Sequence, residues 1–172
     1  MTMESARMSS IDDFIIINEA DRGPAFADPV FARKYKLRVP DFPHHVVAWY
    51  READERFSVA CYIHFTDCGD ILLGGGACTD DRVLRRMTDE QRGLVREAGG
   101  LYLHTLRWSV EHFSERFAAI FGHCHDALAE RVDRAAGFES TDHEGLLVYW
   151  TRDVAARRRQ QMIAKAFTFI PF

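Results

Sequence analysis

The segment that most constrains this chain runs from Asp126 through Ala-Leu-Ala129-Glu-Arg-Val-Asp133-Arg-Ala-Ala to Gly137-Phe138. It describes a short helix stopped by a Gly-Phe pair. A glycine just past a helix suits a C′ residue in the left-handed conformation, and the phenylalanine after it can fold back onto the last turn. The flanks Ala118 to His125 and Gly145 to Trp150 read as strands. A strand, a stopped helix and further strands in succession predict an α/β or α+β domain.

At 172 residues and 47% hydrophobic content the chain has enough apolar material for one domain with a substantial core. A net charge of -4 argues against a polyanion as partner, so no nucleic acid is expected. Cys61, Cys68, Cys78 and Cys124 form no CxxC pair and no apolar signal segment precedes them, which predicts a reduced, cytoplasmic setting. No run approaches the roughly 18 apolar residues needed to cross a bilayer, so no membrane partner is expected.

Residues 1–10 are polar and read as a flexible N-terminus. Phe14 to Ile17 reads as a first strand, and Asp28 to Leu37 as a helix with Asp28 as N-cap and Pro29 in the first turn. Pro40 and Pro43 mark a loop. Val46 to Arg51 and Phe57 to Phe65 form a hairpin across the charged turn 52–56, and a turn at 67–70 leads into Ile71 to Cys78. Three glycines, Gly74 to Gly76, weaken that third strand and predict a bulge or a close packing against bare backbone. Thr88 and Gln91 have capping-box spacing, Gly99-Gly100 interrupts the helix they start, and Leu103, Leu106, Val110 and Phe113 form the apolar stripe of the next. Residues 11–152 read as one domain. Residues 153–172 add a helix from Val154 to Ala166 and the apolar tail Phe167 to Phe172, which must dock on its own domain or on a neighbouring subunit.

From about Val46 to Thr151 this order resembles a GNAT, the Gcn5-related N-acetyltransferase fold. That family carries an Asn, an Ala three residues on, a Tyr four further, then Gly-Phe; here Ala129, Gly137 and Phe138 match, Asp126 stands for the Asn and Asp133 for the Tyr. The resemblance implies a mixed, largely antiparallel central sheet with splayed strands, flanked by helices, with the C-terminal helix added. It implies acetyl-CoA as cosubstrate and an amine of a small molecule or peptide as acceptor. The pantetheine would bind strand backbone at Gly76 and Ala77, and Asp126 and Ala129 would also belong to the cofactor site. The pyrophosphate would lie over a helix N-terminus, where free amides and the dipole attract anions. The family's phosphate signature is Gln or Arg, two residues, Gly, one residue, Gly or Ala; Arg96 and Gly99 match, Gly100 lies between, and Leu101 takes the last small position. The Tyr of the family often protonates the departing thiolate, which Asp133 can do only if its pKa is strongly raised.

Two other chemistries can be read from the residues. His123 and His125 lie two apart on a strand, so they share a face and either can accept a proton near neutral pH. The same pair has metal-ligand spacing, but without a further clustered His or Cys no metal is expected. Cys124 is turned to the opposite face by strand alternation, which separates it from both imidazoles. His44, His45, His64, His104 and His112 read as structural or poor joint ligands. The reading from the sequence is an acyl-CoA-dependent N-acyltransferase using His123, His125 or Asp133. The alternative is a GNAT-fold protein without transfer activity that binds a ligand or pairs as a homodimer through its C-terminal segment.

Overall fold

The computed structural model describes residues 9–41 and 44–172; residues 1–8 of the expected flexible terminus, and Pro43 of the expected loop, lie outside the described residues. A 3-10 turn at Ile11–Asp13 leads into β1 (Ile15–Glu19), α1 (Gly23–Tyr35), β2 (His44–Arg51), β3 (Phe57–Asp67) and β4 (Ile71–Thr79). There follow α2 (Asp81–Arg86), α3 (Asp89–Glu97), α4 (Leu101–Phe113), β5 (Ala119–His123), α5 (Ala127–Ala135), β6 (Glu139–Ser140), β7 (Leu146–Trp150) and α6 (Ala156–Phe167).

The strands form one sheet in the order β1-β2-β3-β4-β5-β7-β6. Every pair in it is antiparallel except β4 with β5. Both faces are covered, which explains why its strands read as almost unbroken apolar runs. Alternate residues take alternate faces. Val46, Ile63, Leu72, Ile120 and Leu147 meet Leu106, Val110 and Phe113 of α4 on one side. On the other, Val47, Tyr62 and Cys78 meet Val30 and Phe31 of α1, while Leu73, Phe121 and Val148 meet Met162 and Ala166 of α6. The apolar C-terminal segment is thus packed on the chain's own sheet, although Phe167 and Phe169 keep 48% and 46% of their surface exposed.

Most local expectations hold. Thr88 Oγ1 accepts from Gln91 N at 3.2 Å and Gln91 Oε1 accepts from Thr88 N at 2.9 Å, a capping box that starts α3. Gly99 and Gly100 end that helix at φ 85° and 100°, where a side chain would be strained. The first helix is different: α1 begins at Gly23, with Pro24 in its first turn and Pro29 inside it. Asp28 therefore does not cap it; its carboxylate instead accepts from Val39 N at 2.7 Å and from Arg38. A proline seven residues into a helix costs a backbone hydrogen bond, and the burial of Ala27, Val30 and Phe31 against the sheet offsets that cost.

Phe113 joins α4 to the sheet. It is fully buried, with its ring centroid 5.3 Å from that of Phe65 and 6.1 Å from that of Phe117. Phe113→Ala is expected to lower unfolding free energy by about 3–5 kcal/mol. Urea denaturation followed by far-ultraviolet circular dichroism measures it, and a loss below about 1 kcal/mol would show that α4 is not anchored this way.

Candidate functional site

Where β4 and β5 run side by side they pair at four positions, from Ile71 with Ala119 to Gly74 with Gly122. Beyond that point the ladder stops, and β4 continues through Gly75 to Thr79 without β5 as partner. The reason is visible on the other edge of β4. The β3–β4 register slips between Ile63 and Phe65, so that two residues, Gly75 and Gly76, stand opposite the single His64. A bulge bends the strand that carries it.

His64 holds the bulge in place. Its buried Nε2 accepts from Gly76 N at 2.9 Å, which fixes the neutral ring with its proton on Nδ1. Burial, with His45 nearby, lowers its pKa from 6.5 to about 4, so the ring stays neutral. A Cβ on Gly75 would lie 2.2 Å from His64 Nε2, and one on Gly76 2.9 Å from Phe31 Cε2. The glycines are there because two rings occupy the space of their side chains.

The parted strands leave a cleft of about 750 Å³. One wall is Gly75 to Thr79 and the other His123 to Asp126 with Leu128 and Ala129 of α5. Tyr102 and Asp133 reach it from α4 and α5, Lys34 and Tyr35 from the end of α1, and Phe172 from the C-terminal segment. Among the described residues no group of three His, Cys, Asp or Glu is placed to hold a metal ion.

The sequence-derived site residues divide into two sets. His123, His125, Asp126, Ala129, Asp133, Gly76 and Ala77 all line the cleft. Arg96, Gly99 and Gly100 do not; they lie at the α3–α4 junction, where Leu103 packs so close that a Cβ on Gly99 would be 2.5 Å from its Cδ2. Strand β5 ends at His123, so alternation does not govern the next residues. The His123 and His125 rings meet edge to face at 4.5 Å, and Cys124 also lines the cleft, its thiol donating to Asp126 O at 3.2 Å, rather than being sequestered on the far side. Its pKa is raised by burial, so it is a poor nucleophile. His123 is shifted down by partial burial and then by His125.

Several backbone groups that looked open are engaged. Gly76 N–H belongs to His64, and the Ala77 carbonyl accepts from Lys34 Nζ at 2.8 Å and Tyr35 Oη at 2.7 Å. Asp126 caps α5, its Oδ1 accepting from Leu128 N and Ala129 N, both at 2.9 Å. The start of α4 at Gly100 has no side-chain cap, so its dipole and amides carry no competing carboxylate.

Asp133 is the most perturbed acid. The Gly137-Phe138 stop is a Schellman motif, with Phe138 N donating to Asp133 O at 3.1 Å and Gly137 N to Arg134 O at 3.0 Å. It fixes the backbone of Asp133, a residue only 6% exposed, whose carboxyl accepts from Tyr102 Oη at 2.8 Å. Burial outweighs that hydrogen bond, Glu130 adds repulsion, and the pKa rises from 3.8 to about 6. Sequence reasoning missed Tyr102, although Tyr102, Leu106, Ser109 and Phe113 repeat at spacings of four, three and four down one helix face. Nothing in the sequence pointed Lys34 or Tyr35 at the cleft.

No protein-family model matches the chain, and no curated protein matches it. Solved structures do. The ribosomal-protein-S18-alanine N-acetyltransferase from Escherichia coli superposes with a TM-score of 0.56 at 11% identity, covering 83% of this chain and 97% of its own. The chain has the GNAT fold. YhhK from Escherichia coli bound to coenzyme A (TM-score 0.46, 14% identity, 79% and 96% covered) and AtaTR bound with acetyl-CoA (0.42, 13%, 90% and 99%) also align. Among the described residues of this GNAT-fold chain, no helix is long and apolar enough to cross a membrane.

Asp133 has a consequence for stability against pH. Its folded pKa lies above its unfolded one, so it favours folding fully below pH 3.8 and loses that contribution as pH rises through about 6. Asp133→Asn keeps an acceptor for Tyr102 and cannot ionise. Relative to the wild type the variant is expected to gain on the order of 3 kcal/mol between pH 4 and 7, since each pKa unit is worth about 1.4 kcal/mol. Paired urea titrations at both pH values measure the gain; a difference that does not change with pH would contradict the burial of an ionisable carboxyl.

Proposed function

We propose that this chain is an acyl-CoA-dependent N-acyltransferase that moves an acyl group, acetyl in the first instance, directly to an amine of a small molecule or peptide. The observation that carries the reading is the parting of β4 from β5 after Gly74 and Gly122, beside the uncapped start of α4. A slot between two strands suits an extended, amide-bearing arm such as pantetheine. A fold shared with an N-acetyltransferase from Escherichia coli is consistent with this use. Residues 11–152 would be the transferase domain, with 153–172 appended, in a cytoplasmic protein.

In this reading the acceptor nitrogen attacks the thioester carbonyl carbon, a C–N bond forms and the C–S bond breaks. Sulfur leaves with the bonding electron pair and needs a proton, while the nitrogen must lose one. His123, held neutral by the shift of its pKa, or His125 in edge contact with it, takes the proton from the amine. Gly76 and Ala77 on one wall and Asp126 and Ala129 on the other flank the acyl carrier. Lys34 and Tyr35 must leave the Ala77 carbonyl if the carrier is to bond it. Arg96, Gly99 and Gly100 would serve the phosphates outside the cleft proper.

Acetyl-CoA at a hundred times its dissociation constant should stabilise the protein by about 2.7 kcal/mol, readable as a thermal shift. With a panel of amines, free thiol should then appear in a chromogenic assay. Binding without thiol release would favour the binding or dimeric reading, and no shift at all would defeat both. His123→Ala and His125→Ala should between them abolish the acidic limb of the rate profile, and if neither does, the imidazoles are not the base. Arg96→Ala is expected to weaken acetyl-CoA binding by up to about fivefold, the range for an exposed charge; unchanged affinity would move the phosphate site elsewhere.

A further inference from the structure

We propose that Tyr102 is the residue that protonates the departing coenzyme A sulfur, with Asp133 behind it as the source of the proton. This rests on the acyltransferase reading above. Position 133 is where the resembled family carries its tyrosine, and there the chain has a carboxyl. The phenol arrives instead from the first turn of α4, with Tyr102 Oη 2.8 Å from Asp133 Oδ1 and both side chains lining the cleft. The pair stands at the fork of the strands. Gly122 is the last β5 residue paired to β4, and Asp133 Oδ2 lies 3.8 Å from the place a Cβ on Gly122 would take.

Neither group suffices alone. Burial pushes the Tyr102 hydroxyl well up from its ordinary value, and the neighbouring Asp133 carboxylate pushes it further, so phenolate is a poor stopping point. A carboxyl with a pKa of about 6 is a stronger acid than a thiol of ordinary pKa about 8.5, so delivery to sulfur runs downhill. As C–S breaks, the Tyr102 O–H proton passes to sulfur and the Asp133 proton passes to the phenol oxygen. The products are a thiol, an intact phenol and a carboxylate that regains its proton from solvent. The same heavy-atom distance serves both directions of the hydrogen bond. Once Asp133 is ionised, Tyr102 donates to it and is withheld from the sulfur.

The titratable groups facing the pair are Glu130 on α5, which raises the Asp133 pKa, and Cys124 and Cys61, which act on Tyr102 from the end of β5 and from β3. About a tenth of Asp133 is protonated at pH 7, so the rate should decline as pH rises above about 6. A pair that merely ties α4 to α5 would give no such limb.

The test measures kcat, KM for acetyl-CoA, thermal midpoint and acetyl-CoA affinity for the wild type, Tyr102→Phe, Asp133→Asn and the double variant, from pH 5.5 to 9. Tyr102→Phe keeps the ring and is expected to lower kcat about a hundredfold, within the range for general acid catalysis, with KM changed less than about twofold. Asp133→Asn should lower kcat and erase the alkaline decline, and the double variant should be no slower than the slower single one, because the two act in series. A Tyr102→Phe variant within about threefold of the wild type, or losses that multiply in the double variant, would overturn the proposal and leave the acyltransferase reading standing. Loss of acetyl-CoA binding together with folding stability in Tyr102→Phe would mark a structural strut and also overturn it. A wild type that binds acetyl-CoA and releases no thiol would instead sink the transfer reading, and this proposal with it.

Discussion

The seating of His64 on bare backbone at Gly75 and Gly76 is the contact from which the cleft follows. The one extra residue in β4 makes the strand bend away from β3 or be filled from one side, and the imidazole does the filling while accepting the Gly76 amide at 2.9 Å. With the bend in place, β4 can share only four positions with β5 before the two diverge. Any side chain at position 75 would meet the ring at 2.2 Å, so the gap between β4 and β5 is a packing consequence of what lies on the opposite edge of β4. The tautomer matters as well. Protonated His64 would present a donor to a donor, and the lowering of its pKa to about 4 by burial keeps that conflict away from neutral pH.

The second constraint is the helix stop. A Schellman motif is usually discussed as a way to satisfy the last carbonyls of a helix. Here the carbonyl accepting the Phe138 amide is that of Asp133, so the motif also sets where the Asp133 side chain emerges. Phe138 is buried among Leu106, Ile120 and Leu147, which locks the end of α5 onto the α4 side of the sheet. Fold stability and site geometry therefore share the same two residues, Gly137 and Phe138. Gly137 cannot easily change, since it sits at φ 104° and a Cβ would meet the Tyr149 ring at 2.9 Å.

Legibility in the sequence followed the range of the interaction. Local devices could be read directly: the capping box of Thr88 and Gln91, the Gly99-Gly100 break and the Gly137-Phe138 stop each depend on residues within five positions of one another. The β4 glycines announced a bulge but not its occupant, because His64 lies eleven residues from Gly75 across a turn. The start of α1 was misread because Asp28-Pro29 carries a helix-start signature that tertiary packing overrode, turning Asp28 to Val39 and Arg38. The long-range members of the site were the hardest. Tyr102 meets Asp133 over a separation of 31 residues, and Lys34 and Tyr35 reach Ala77 over more than 40. Composition, periodicity and caps carry no signal for such pairings.

The titratable side chains of the cleft sit in two different environments. The imidazoles of His123 and His125 lie on the wall that follows β5, the first half-buried and the second exposed to water. Asp133 lies under the fork, nearly closed to solvent, where burial pushes its pKa up to about 6. A single environment cannot favour both states, since burial that keeps a carboxyl protonated also keeps an imidazole from accepting a proton. The cleft therefore has a wetter wall, where His123 is shifted down, and a drier floor, where Asp133 is pushed up to about 6. Tyr102 lines the cleft beside that floor and donates its hydroxyl to Asp133 at 2.8 Å. On the proposed reading, the phenol that α5 lacks at Asp133 is supplied from α4 by Tyr102.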